Sequence, residues 1–124
     1  MTAFDTAALD RLLADDPGGP VVMLNLLRFR PDGGAMKYQA YGEKFESTGI
    51  YEKYGVELVY AGYGSTILVA EDGQCWGVVL LVRYPSRKRF VDMVTDPVYR
   101  SFEPLRTEAL AATVLQATTP LAAG

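Results

Sequence analysis

The chain has 124 residues, 49% of them hydrophobic and 22% charged, with a net charge of −3. That is enough apolar chain for one buried core, and too little surplus cation to neutralise phosphates broadly, so no nucleic-acid partner is expected. There is no histidine and only one cysteine, which excludes Ser-His-Asp and Cys-His nucleophile systems, histidine-held zinc, iron or haem, and an internal disulfide.

Residues 1–19 read as an N-terminal helical extension. Asp5 is a good N-cap, Phe4 and Leu9 occupy the hydrophobic-staple positions, and Leu9, Leu12 and Leu13 form one apolar stripe. Pro17-Gly18-Gly19-Pro20 ends it. The segment carries aspartates and lacks a basic start with a long apolar core, so it does not read as a signal peptide. The apolar runs VVMLNLL and WGVVLLV are too short to span a bilayer. A cytoplasmic protein without membrane contact is expected.

Val21 to Phe29 reads as a strand that is apolar on both faces. Arg30 to Gly34 is a loop. Met36 to about Ser47 is helical, with Tyr38, Tyr41 and Phe45 on one stripe, weakened by Gly42 and interrupted by Gly49. Ile50, Tyr51 and Tyr54 give one more short turn, closed by Gly55. Val56 to about Val69 reads as a long strand in which Gly62 and Gly64 mark a bulge or bend. Glu71 to Gln74 is expected to be a hairpin turn, and Cys75 to Tyr84 the next strand. Pro85 stops that strand. Ser86 caps a helix burying Phe90, Met93 and Val94, and Asp96-Pro97 opens another that Pro104 should kink or restart. Thr113 to Thr118 is a last strand, and residues 121–124 are a tail.

After the leading helix this order is strand, helix, strand, strand, helix, strand. With right-handed crossovers it gives an α+β, ferredoxin-like β-α-β-β-α-β domain with a four-stranded antiparallel sheet of order 4-1-3-2. Helices cover one face of such a sheet. Yet Val22, Leu24 and Leu26 oppose Val21, Met23 and Leu27 in parity, and the third strand is also apolar on both sides. The second face therefore needs a cover: another copy of the sheet, giving a two-fold homodimer, or the N-terminal helix as a lid.

The strings VVMLNLLRF, YPSRKRF, DPVYR and PLRTEAL, in that order, resemble the domain of unknown function family 1330, of the dimeric α+β barrel superfamily. The resemblance runs from about Val21 to Pro120. It implies a ferredoxin-like domain over residues 20–120 and a homodimer whose two sheets close a barrel, and it implies no established activity. The wider superfamily includes cofactor-free and haem-degrading monooxygenases, muconolactone isomerases and stress-responsive proteins, with pockets between helices and sheet. Some of its monooxygenases use an asparagine on the first strand and a tryptophan on the third, which Asn25 and Trp76 resemble. The haem-degrading members need a histidine that this chain lacks. No cofactor is implied.

Each candidate residue has a structural and a functional reading. Asn25 sits mid-strand among apolar residues, where its amide must be tied to neighbouring backbone or serve a substrate oxygen. Tyr38 and Tyr41 are helix core or a pocket wall with phenol donors, and Trp76 is core or pocket. Arg28, Arg83, Arg100 and Arg106 are rim charges or anion clamps, and Arg106 is singled out by the Pro104 break. Cys75 reads as a small buried residue. The expected site has Asn25, Tyr41 and Arg106 as catalytic groups, with Tyr38, Trp76, Arg83 and Tyr99 contacting a small apolar or aromatic ligand. The expected protein is a small-molecule enzyme without a protein-bound metal. By the resemblance its chemistry is oxygenation of an electron-rich aromatic or isomerisation by proton transfer. The alternative is a ligand-binding or stress-associated dimer without turnover.

Overall fold

The computed structural model describes residues 5–121. In chain order it contains α1 (Thr6–Ala14), β1 (Val21–Phe29), α2 (Gly34–Ser47), α3 (Ile50–Tyr54), β2 (Glu57–Tyr63), β3 (Val78–Tyr84), α4 (Arg87–Val94), α5 (Pro97–Ala109) and β4 (Leu110–Thr118). The sheet is antiparallel with order β2-β3-β1-β4, so β1 and β3 are central. This is the ferredoxin-like α+β fold with an added N-terminal helix.

Local signals set most element ends. The Asp5 carboxylate accepts from the Ala7 N–H, the Ser86 hydroxyl from the Arg89 N–H, and the Asp96 carboxylate from the Val98 N–H. Gly55 closes α3 in the left-handed region at φ 67°. The staple expected between Phe4 and Leu9 involves a residue outside the described range, as does most of the 121–124 tail.

Antiparallel register fixes which side chains share a face. Asn25 lies opposite Leu80 on β3 and Leu115 on β4. Val21, Met23, Asn25 and Leu27 are therefore on one face with Leu80, Val82 and Tyr84. That face carries the helices, and its β1 residues are buried. Above it Tyr41 and Phe45 of α2 meet Tyr99 and Phe102 of α5, with ring centroids 5.0–6.2 Å apart, mostly edge-on. Such pairs add about 0.5–1.5 kcal/mol each beyond simple area burial.

Val22, Leu24 and Leu26 alternate onto the other face with Val79, Leu81 and Arg83, and these apolar side chains are only half-buried. α1 does not cover them. Leu9 and Leu12 pack into the core on the helical side, and the Arg87 guanidinium donates to the Leu12 carbonyl at 3.0 Å. The lid reading for the N-terminal helix is therefore wrong: its apolar stripe is used beside α4.

Five further expectations need correction. The second and third strands are shorter than the apolar pattern suggests, because pairing stops at Tyr63 opposite Val78. The Gly64 N–H donates to the Gly77 carbonyl at 2.9 Å, and the Gly77 N–H turns away to the Leu27 carbonyl at 2.8 Å. A Cβ on Gly64 would stand 1.8 Å from the Trp76 carbonyl oxygen, so only glycine permits this closure. Residues 64–77 then leave the sheet as a loop, with Leu68 90% and Val69 94% exposed. The turn at Glu71 to Gln74 exists, with the Gln74 N–H on the Glu71 carbonyl at 3.2 Å, but it turns this loop and joins no strand pair. Cys75, on the same loop, is exposed and not buried. The β2 bulge falls between Leu58 and Tyr60, not at the glycines. Finally, α5 runs unbroken through Pro104, which sits on its exposed side.

Candidate functional site

A cavity lies between the sheet and the helices, with about 120 Å³ open to a water-sized sphere. Its floor is Leu80, Val82 and Leu115, and Phe90, Met93 and Val94 of α4 close one side. Gly42, Tyr51 and Leu58 also line it and are less buried, Leu58 being 49% exposed, so the opening lies between α2, α3 and β2.

The polar groups come from five elements, β1, α2, α3, β3 and α5. β1 supplies Asn25, 7% exposed. Its Nδ2 donates to the Met23 carbonyl at 3.3 Å, a long bond within its own strand. Among the described residues, no side-chain nitrogen or oxygen sealed from solvent lacks a partner. The Asn25 Oδ1, to which no described group donates, therefore opens on the cavity.

α5 supplies Arg106 and Tyr99. Arg106 is also 7% exposed. One of its nitrogens donates to the Thr113 Oγ1 at 3.4 Å, and that hydroxyl donates to the Leu26 carbonyl at 2.8 Å, which ties the arginine to the sheet. Among the described residues no salt bridge includes Arg106. Tyr99 shares a 2.9 Å hydrogen bond with Tyr41 of α2, hydroxyl to hydroxyl. Such a pair uses one O–H and leaves the other hydrogen free.

Burial decides the protonation of these phenols. It raises Tyr38, Tyr41, Tyr51 and Tyr84 above the ordinary tyrosine value of 10.0 and pushes Tyr99 up to about 12. The Arg106 guanidinium, close beside the Tyr38 hydroxyl, works in the opposite direction on it. At neutral pH the phenols are hydrogen-bond donors and not bases. The arrangement can desolvate an apolar ring, orient its oxygen atoms and hold negative charge on them. Among the described residues no three His, Cys, Asp or Glu side chains are grouped as a metal site.

Five of the seven residues singled out in the sequence meet at this cavity: Asn25, Tyr38, Tyr41, Tyr99 and Arg106. Two do not. Trp76 is on the 64–77 loop, where its indole N–H donates to the Gln74 side chain at 3.2 Å and Arg28 lies 5.7 Å over its ring. The strand that was to carry it inward begins two residues later. Arg83 lies between Val82 and Tyr84, which both face the cavity, so it points to the other side of the sheet, opposite Val22 and Glu57. Tyr84, Tyr51 and Gly42 also line the cavity without having been singled out. Tyr84 shares parity with Leu80 and Val82, but that signal has meaning only once the face holding Asn25 is known.

No protein-family model and no curated protein matches the chain. Solved structures do. RPA0582 from Rhodopseudomonas palustris, a protein of unknown function, is 32% identical over 98% of this chain and 97% of its own, with a TM-score of 0.87. A Bacteroides thetaiotaomicron protein, provisionally named an antibiotic biosynthesis monooxygenase, is 21% identical over 85% of this chain and 92% of its own, with a TM-score of 0.59. A dimeric ferredoxin-like protein of unknown function from Thermobifida fusca is 12% identical over 84% of this chain and 93% of its own, with a TM-score of 0.55. At such identities the latter two share the fold alone.

Proposed function

We propose a function from the premise that this chain belongs to the family of the Rhodopseudomonas palustris protein RPA0582: it binds a small apolar or aromatic molecule between sheet and helices and converts it without a protein-bound metal. The observation that carries this reading is the cavity itself, apolar on most of its wall but holding a buried amide and a buried guanidinium. Ligand sites are built this way, with an apolar body and a few convergent polar groups. Asn25 would give its amide to a substrate oxygen in exchange for its long bond to Met23. Arg106 and the free hydroxyl of the Tyr41–Tyr99 pair would stabilise charge developing on that oxygen, while Tyr38 and Tyr99 orient the ring.

Oxygenation of an electron-rich aromatic and isomerisation through an enolate both pass through an oxyanion on the substrate. In the first, the substrate anion supplies the electrons to dioxygen. The provisional monooxygenase name of the B. thetaiotaomicron protein is compatible with that choice. A second reading, binding without turnover, is favoured by one observation: the cavity is lined by no carboxylate, and its phenols are raised by burial and do not act as bases at neutral pH. Native mass spectrometry of the purified protein, followed by oxygen uptake with the retained compound or with simple phenols, separates the readings. A retained small molecule that is consumed supports the enzyme. One that is retained and never consumed supports the binding protein, and failure to hold any small molecule overturns both.

We also read the family as the domain of unknown function family 1330. On this reading residues 20–120 are its domain, 1–19 a helical extension and 121–124 a tail. The uncovered apolar sheet face supports a homodimer closed through it, and the T. fusca protein with this fold is dimeric. Sedimentation should give a dimer, and a monomer at micromolar concentration contradicts it. No helix among the described residues is long and apolar enough to cross a membrane; placing the protein in the cytoplasm rests on its sequence composition.

A further inference from the structure

The cavity contains a buried positive charge that no carboxylate among the described residues pairs with. The Arg106 guanidinium carries five N–H donors in a planar fork and no acceptor. Its partners in the chain are neutral: the Thr113 hydroxyl at 3.4 Å and the nearby Tyr38 phenol. Glu103, one turn earlier on α5, feels the guanidinium but forms no ion pair with it. Burying an unpaired charge is costly, and folds normally resolve the cost with a carboxylate. Here the space in front of the charge is the cavity.

The other polar groups agree in sign. The Tyr41–Tyr99 pair leaves one O–H to give, Tyr38 has another, and Asn25 has one N–H besides the one on Met23, against a single amide acceptor in its Oδ1. Donors outnumber acceptors around the space, and one donor carries a full charge. The complement of such a lining is an acceptor-rich anion. Size limits it further. The open volume is about 120 Å³, and a dry cavity of roughly 150 Å³ holds a benzene ring.

We infer that the ligand of this cavity is a single-ring aromatic monoanion, its charge on a carboxylate or ring oxygen held by Arg106 and the neighbouring phenols. Its ring lies against Leu80, Val82 and Met93. This rests on the reading that the cavity binds small molecules, and it names the class that the site selects.

Calorimetric titration at neutral pH with benzoate, salicylate and their neutral isostere benzamide tests it. The anions should bind about ten-fold or more tighter than the amide. Arg106→Met should abolish that preference while benzamide binding persists, and Arg106→Lys should keep part of it. Arg100→Met, an exposed arginine on the same helix, should leave it unchanged. Benzamide binding as tightly as benzoate overturns the inference and leaves the cavity reading standing. If none of the three binds the wild-type protein, both are overturned. Should Arg106→Met fail to fold, Arg106→Lys decides: an anion preference undiminished by this change of fork to point charge shows that Arg106 does not hold the anion.

Discussion

Asp96 and Arg106 stand near opposite ends of α5, and each is 7% exposed. Their surroundings differ completely. Asp96 accepts from the Val98 N–H at 2.8 Å, from the Lys53 ammonium at 2.9 Å and from the Tyr54 hydroxyl. Its carboxylate joins α3 to the start of α5. Arg106 has one long bond to a threonine and faces a cavity. A buried charge with a structural duty brings its partners in the chain. A buried charge intended for a ligand leaves them out.

That contrast is broken most severely at Asp96. Asp96→Ala removes a helix cap, an ion pair and the acceptor for a tyrosine together, and should lower the melting temperature by roughly 5–10 °C, measured by circular dichroism. The carboxylate also dictates a pH dependence. Its hydrogen bonds from Tyr54 and Lys53 hold it at about 2, against 3.8 for a free aspartate. The folded state thus binds fewer protons than the unfolded state between these values. Its stabilisation is complete above about pH 4 and disappears as the pH falls towards 2. Acid titration of the melting temperature should show this fall in the wild-type protein, and it should be much reduced in Asp96→Asn.

Arg106→Met should behave in the opposite way. Replacing an unpaired buried charge with an apolar side chain of similar length should leave the melting temperature within about 3 °C of wild type or raise it. A large fall would mean that the charge is structural after all. The tyrosines extend the contrast to high pH. Tyr41, Tyr84 and Tyr99 are held above the ordinary value of 10.0 by burial. Below pH 10 they are neutral in both states. Above it the unfolded chain loses protons that the folded chain keeps, so stability falls as the pH rises. Tyrosinate absorbance from these residues should appear together with loss of the circular dichroism signal, not before it.

The smallest effect belongs to Gly42. It lies within α2, lines the cavity, and an added Cβ meets nothing within 4 Å. Gly42→Ala should therefore stabilise the helix by about 0.5–1 kcal/mol. Gly42→Leu should fold equally well but obstruct the opening, weakening ligand binding without changing its preference for charge.

Local chemistry made much of the fold legible. Asp5, Ser86 and Asp96 mark their own helix starts, and the bounds of β1 follow from its apolar run between Pro20 and Arg30. The ends of β2 and β3 were not legible. Ile67, Leu68 and Val69 read like strand residues, but the strand ends where Gly77 bonds to Leu27, some fifty residues away in sequence. The site shows the same division. Asn25 and Arg106 were conspicuous as a polar residue in an apolar strand and a cation beyond a helix proline. Arg83 and Trp76 were misplaced because both faces of β3 are apolar, so alternation alone could not say which face held the cavity or where the strand began.

A crystal structure of the protein grown with benzoate tests the unpaired charge most directly. The expected result is a carboxylate within about 3 Å of the Arg106 guanidinium, with the ring between the sheet and α4. Arg106 turned onto Glu103, with the cavity closed and no benzoate in it, would contradict it.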